Sequence, residues 1–333
     1  MKKIIIGGFV LMGLISSCSK SMSDEFVAYA GLGINDTVWT KVPISQGLLD
    51  TVSRDLGFQP MADTVNAAAG GKIKFNDSLN VSIPAGGCAD ASNNAPITGG
   101  TVKVELLSIR KKGDFIRYMI PTTSGKYLLE SAGAYYLKLT RGIENLVVSP
   151  NATVTIKFQD FAPTKTDYGF FVGVALQNRD SLFTWLPAGV GSSPYGSITP
   201  WDSSSFSVPK RGYFLNTKLT NWISADRFLD TVTQARTRIN VTMQLNYTNK
   251  NTVVFAVFKN QRTVVRLTSD YATRSFYSLN FPVNSAVTLV SISLIDNTYY
   301  FGTKDVTVVN ANNISLTADK KSLSDISTFL DSL

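Results

Sequence analysis

Thr101-Val102-Lys103-Val104-Glu105-Leu106 alternates polar and apolar side chains with a period of two, and that rhythm decides the fold class. Successive side chains of an extended strand point to opposite faces, so Val102, Val104 and Leu106 share one face while Thr101, Lys103 and Glu105 share the other. The same alternation recurs at Val154, Ile156 and Phe158, and at Ile239, Val241, Met243 and Leu245. Turn formers separate such runs, as at Pro84-Ala85-Gly86-Gly87, Ser92-Asn93-Asn94, Asn249-Lys250-Asn251 and Asp296-Asn297. Strands with one dry and one wet face are typical of antiparallel sandwiches. The chain therefore reads as all-β, built from tandem antiparallel β-sandwiches, the second immunoglobulin-like, with a short C-terminal helix. Helical periodicity is scarce. Residues 43–56 hold one short helix, and Leu323, Ile326, Phe329, Leu330 and Leu333 fall on one face of another, with Ser322 and Asp325 as a capping pair. That terminal helix is expected to close one end of the last sandwich.

Composition narrows the chemistry. The chain has 333 residues, 44% hydrophobic, which is enough for about two domains. It contains no histidine and two cysteines, Cys18 and Cys88. Without imidazole there is no Ser-His-Asp or Cys-His nucleophile and no histidine metal site. Two cysteines are too few for a disulfide scaffold or a thiolate zinc cage. No phosphate-cradling loop or dinucleotide glycine fingerprint precedes a helix, and the Asp90-Ala91-Ser92-Asn93-Asn94 loop lacks calcium-loop spacing. No enzymatic activity and no cofactor are expected.

The N-terminus carries an address. Lys2 and Lys3 precede an apolar stretch from Ile4 to Ile15, too short for a permanent span of about 20 residues, so it reads as the core of a signal peptide. Leu14-Ile15-Ser16-Ser17-Cys18 resembles a bacterial lipobox, which implies cleavage before Cys18 and its lipidation. Cleavage takes the formal charge from +8 to +6 and leaves Cys88 as the remaining thiol, expected to be a small buried or loop residue. Ser19 stands where an inner-membrane retention signal would place Asp, which implies the outer membrane. Ser23-Asp24-Glu25 resembles the acidic export signal of Bacteroidetes surface lipoproteins, which implies exposure at the cell surface.

Two further resemblances cover most of the mature chain. Lys72-Ile73-Lys74-Phe75, Val81-Ser82-Ile83-Pro84-Ala85, Val102 to Leu106, Leu128 to Tyr136 and Val147 to Ala152 follow one another in an order that resembles the sandwich domain shared by ankyrins and netrin receptors, as it occurs in Bacteroidetes lipoproteins. Asn221-Trp222-Ile223-Ser224-Ala225-Asp226 is similar to a Trp-Ile-Asn-Cys-Asp signature of the second half of such lipoproteins, with Ser224-Ala225 in place of Asn-Cys. That departure speaks against an essential thiol. The resemblance implies an uncharacterised outer-membrane lipoprotein family and no known activity. The expected organisation is a signal peptide at 1–17, a lipidated tether at 18–26, an N-terminal sandwich at 27–160, a structured middle region at 161–235 and the immunoglobulin-like sandwich with its helix at 236–333.

Several residues remain as candidates for contact or chemistry. Asp160, Asp167 and Asp226 are carboxylates that a glycosidase could use in pairs; solvated turns, or for Asp226 an ion pair or turn fixing a domain junction, are the simpler expectation. Trp185 and Trp201 are candidate ligand contacts that could stack on sugar rings, although tryptophan more often packs in cores and junctions. Asp-(Ser/Thr)-aliphatic triplets resemble the Bacteroidetes O-glycosylation acceptor and nominate Thr37, Thr51, Thr64, Ser78, Ser181 and Thr231. Arg110-Lys111-Lys112 and Lys210-Arg211 read as wet surface, or as contacts for anionic envelope polysaccharide. The expected partners are the membrane, through the lipid, and envelope proteins or polysaccharide, with nucleic acid excluded by the exported address.

Overall fold

The computed structural model describes residues 39–41, 46–160, 162–176, 182–188, 193–203, 210–229, 234–310 and 312–333. Helix α1 (Gln46–Leu56) precedes β1 (Met61–Asn66), β2 (Gly71–Asn76), β3 (Leu79–Ile83), β4 (Cys88–Asp90) and β5 (Thr101–Ile109). Helix α2 (Lys112–Arg117) and β6 (Thr123–Ser124) lead into the long β7 (Tyr127–Arg141), followed by β8 (Glu144–Val148) and β9 (Val154–Asp160). Then come β10 (Gly169–Leu176), β11 (Leu182–Pro187), β12 (Gly196–Ser203), β13 (Lys210–Thr217) and β14 (Asn221–Phe228). Among the described residues these strands form two facing sheets, β1-β5-β7-β14-β10-β11 with β4, β6 and β8 attached, and β12-β13-β9-β3-β2.

The alternation at 101–106 does what its period demands. Val102, Val104 and Leu106 are fully buried and share one core with Val154, Ile156 and Phe158 of the opposite sheet, while Thr101 and Lys103 face solvent. The domain boundary falls elsewhere than expected. Residues 161–235 do not form a middle layer of their own, because β14 pairs with β7 from Leu129 to Leu137 and β13 pairs with β9 along its whole length. The strands of 27–160 leave the edges of β7 and β9 open, and an open backbone edge is stabilised by adding a strand.

The second sandwich comprises β15 (Arg236–Thr242), β16 (Thr252–Phe258), β17 (Val264–Arg266), β18 (Thr268–Asp270), β19 (Ser275–Pro282), β20 (Ala286–Ile295), β21 (Thr298–Thr307), β22 (Asn312–Ser315) and β23 (Asp319–Lys320). Its sheets run β18-β19-β15-β22 and β17-β16-β20-β21-β23. The strand order is its own in two respects. β15 pairs with β22 in parallel, and β15 and β16 lie in facing sheets, whereas the first two strands of an immunoglobulin domain share one.

β16 explains how the two sandwiches are joined. Every residue from Thr252 to Phe258 is buried, so the strand has no wet face. Val254, Ala256 and Phe258 fill the core of the second sandwich, while Val253, Phe255 and Val257 pack outward against α1, α2 and helix α3 (Leu323–Asp331). The same shared core takes Leu107 and Ile109 of β5, Leu129 and Ala134 of β7, and Trp185 of β11. The capping pair is present, since Ser322 Oγ accepts from the Asp325 amide at 3.1 Å and Asp325 reaches back to the Ser322 amide. Ile326 and Leu330, however, are inserted between the sandwiches instead of closing the end of one. No helix among the described residues is long and apolar enough to cross a membrane.

Buried Arg117 of α2 staples this helical layer. It donates to the Leu56 carbonyl at 2.9 Å, to the Ser327 carbonyl at 2.8 Å and to Asp331 at 2.8 Å, placing a cation where α1 and α3 end. Gly113 lets α2 approach α3, because a Cβ there would lie 1.9 Å from the Leu330 carbonyl oxygen. Gly113→Ala is therefore expected to force the helices apart and destabilise the protein by about 1–3 kcal/mol, read as a lowered denaturant midpoint. An unchanged midpoint would mean that the helical layer adjusts without loss.

Candidate functional site

The end of the first sandwich meets the turn between β16 and β17 of the second, and charged residues gather there. The turn is fastened by backbone bonds, with the Ser131 amide donating to the Arg262 carbonyl at 3.0 Å and the Thr122 amide to the Val264 carbonyl at 2.7 Å. Thr263 adds its hydroxyl to the Leu129 carbonyl at 2.8 Å. So fixed, the turn sends the Arg262 side chain into the first sandwich, where its guanidinium lies 2.5 Å from the carboxylate of Asp160 at the end of β9. Asp160 is almost fully buried, and Tyr168 lies near the guanidinium.

Asp226, on β14 of the facing sheet, has a different environment. A bulge, where register shifts between Ala225 and Asp226 opposite Gly133 and Ser131, turns its side chain inward to zero exposure. Burial pushes its carboxyl up from 3.8 to about 7, while the Ser131 and Ser224 hydroxyls and the field of Arg262 pull in the opposite direction. Ser224 Oγ donates to Oδ2 at 2.6 Å, and Oδ1 accepts no hydrogen bond. The simpler sequence expectation of an ion pair or turn at Asp226 is corrected here. Its neighbour Arg227 pairs instead with Glu130 at 2.7 Å and Asp167 at 2.7 Å, and Lys165 completes that group on Glu130 at 2.7 Å. A carboxyl raised toward neutrality resembles a tuned general base, but a group sealed from solvent has no substrate to reach.

Beside this cluster opens a cleft of about 350 Å³. Its accessible apolar wall is Phe58 and Met61, with Leu79 and Leu106 buried behind, and its cations are Arg110, Lys111 and Arg262. Arg110 leaves the end of β5, spreads over the Phe158 ring at 5.7 Å, and donates to the Ser78 hydroxyl at 3.2 Å and to the Gln159 carbonyl. Its Nε is buried and unpartnered. The fully buried Tyr135 lies close to Arg110 and Arg262, and burial holds its phenol proton well above the usual range.

The other residues nominated from the sequence are scattered. Trp185 is fully buried and donates its indole N–H to the Pro121 carbonyl at 2.9 Å, so it is corrected from a ligand contact to a core residue. It packs there because β11 lies over the shared core, where an aromatic with one satisfied donor is stable. Trp201 is half-buried on β12, bonded to the Phe158 carbonyl at 3.2 Å, with the Lys157 ammonium 4.2 Å from its ring centre. It lines a smaller hollow of about 170 Å³ with Lys210, Asp77 and Asn80. Thr64 is exposed on β1, Thr51 is half-buried on α1, and Ser78 is half-buried with its hydroxyl bonded to Asn76 and Arg110. Cys18, Thr37, Ser181 and Thr231 lie outside the described residues. Cys88 is buried in the first core, and burial pushes its thiol up, away from reactivity.

Sequence reasoning missed Arg262 entirely and read Arg110 as wet surface or as a contact for anionic polysaccharide. The one local signal was the placement of Arg110 directly after an alternating strand, where a long cationic side chain can fold back over the sheet end. Among the described residues no three Cys, Asp or Glu side chains come together as metal ligands. No family model, no curated protein and no solved structure was found to match the chain.

Proposed function

We propose that the chain is a non-catalytic lipoprotein of the outer membrane, displayed at the cell surface, which acts as a structural or accessory binding module of the envelope. The observation that carries this reading is the commitment of its carboxylates. Asp160 neutralises Arg262 across the junction, Asp167 pairs with Arg227, and Asp226 is sealed behind the bulge, so the three do not face one another across an open cleft. The burial of Trp185 weakens the competing glycan reading, which depends on an exposed pair with Trp201. A two-sandwich body, with a lipid on Cys18 to concentrate it at the membrane, suits a holding role.

Cys18→Ala is expected to abolish palmitate labelling and to move the protein from the membrane fraction to the soluble one. Retention of the variant at wild-type level would contradict the anchor. Protease shaving of intact cells separates the two faces of the membrane, since a surface protein is degraded and a periplasmic one is protected. Affinity capture from solubilised envelopes then identifies what the module holds.

A further inference from the structure

Arg262 and Arg110 line the same cleft but are not equivalent. Arg262 has the Asp160 carboxylate as its counter-charge. Arg110 touches only neutral oxygens, the Ser78 hydroxyl and the Gln159 carbonyl, with Nε buried and unpartnered, and no carboxylate among the described residues bonds its side chain. A guanidinium held partly out of water without an anion is unfavourable in the empty protein. It becomes favourable when an anion enters, particularly because the planar fork suits a carboxylate.

We propose that the cleft binds a small monoanion with an apolar body, an aliphatic or aromatic carboxylic acid, whose carboxylate is held by Arg110 beside Arg262 and whose body lies on Phe58 and Met61. Charge sets the valence. Arg110, Lys111 and Arg262 face Asp114 and Asp160, which leaves one positive charge uncompensated. Asp114 is turned to the backbone, accepting from the amides of Arg110 at 3.1 Å and Lys111 at 2.9 Å, and therefore does not neutralise the Arg110 guanidinium. The apolar wall excludes a bare inorganic anion as the fitting ligand, since such an ion would leave Phe58 and Met61 uncovered. The volume, about 350 Å³, lies at the small end of ordinary ligand sites. The proposal does not depend on how the chain is anchored or which side of the membrane it faces.

Titration calorimetry on the full chain tests it with phenylacetate and hexanoate as probes, and with phenylacetamide and inorganic phosphate as comparisons. Both carboxylates are expected to bind, and the amide and phosphate to bind about tenfold or more weakly. Arg110→Gln is expected to lower carboxylate affinity by about tenfold or more. It should leave the melting temperature of the empty protein unchanged or higher, since it removes an uncompensated charge. Gln59→Glu, at the exposed rim of the cleft, supplies a competing carboxylate and is expected to weaken both probes by several-fold without touching the core. It keeps the test decisive should Arg110→Gln fail to fold. No binding of either carboxylate, equal binding of phenylacetamide, tighter binding of phosphate, or wild-type affinity in the folded variants would each overturn the proposal.

Discussion

Asp226→Asn is expected to make the protein more stable than the wild type in alkaline solution and about equal to it in acid. The carboxyl of Asp226 is raised from 3.8 to about 7 by complete burial, so the native state holds its proton over a range in which the unfolded chain has released it. Where the native state binds the extra proton, stability falls as pH rises. The wild type therefore loses stability from about pH 4 to about pH 7 and nothing further from this group above that range. A displacement of about three pH units corresponds to roughly 4 kcal/mol. Asparagine has nearly the same shape, can still accept from Ser224, and carries no charge to bury. Its amide N–H groups have no assured acceptor, which costs about 1–2 kcal/mol. The expected net gain is thus about 2–3 kcal/mol at pH near 8.5, vanishing or reversing near pH 4.5. Urea melts of both proteins at the two pH values check it, and the difference between them cancels every other titrating group. A pH-independent difference would show that Asp226 is not the buried acid described here.

Arg262→Met is expected to cost about 3–5 kcal/mol, because it strands the Asp160 carboxylate, 3% exposed, without its counter-charge. Methionine replaces much of the volume of the arginine stem, so the loss reports the charge more than the packing. The backbone bond from Ser131 to residue 262 survives the change, which keeps the turn in place. Asp160→Asn in the same protein should recover a large part of the loss, since the remaining amide is inexpensive to bury beside methionine. The double-mutant cycle measures the coupling directly, and equal destabilisation of single and double variants would mean that the turn, not the ion pair, matters. Because the pair spans both sandwiches, the single variant is also the place to look for a split unfolding transition.

Much of the fold was legible because it depends on local geometry. The alternation of Val102, Val104 and Leu106 and the capping pair at Ser322 and Asp325 each report the direction of side chains from their own backbone. The boundary at 161–235 was not legible. Whether β13 and β14 form their own layer or complete the sheets of β9 and β7 is decided by edge pairing between segments far apart in the chain, and no local pattern encodes it. Nor was the site. Arg110 belongs to a run of three cations that any reading of composition assigns to solvent, and Arg262 lies alone in a turn.

The amino-acid sequence by itself determined that this protein is a succession of half-buried strands and that histidine-dependent chemistry is closed to it. Those properties follow from side-chain period and residue type, which are fixed before folding. Only the tertiary structure decided that the helices lie between the sandwiches, that Trp185 is core, and that Asp160 meets Arg262 across 102 residues. The physical reason is that burial and counter-charge are properties of where a group ends up. A carboxylate becomes a buried acid, and an arginine an unmatched cation, only when strands distant in sequence close around it.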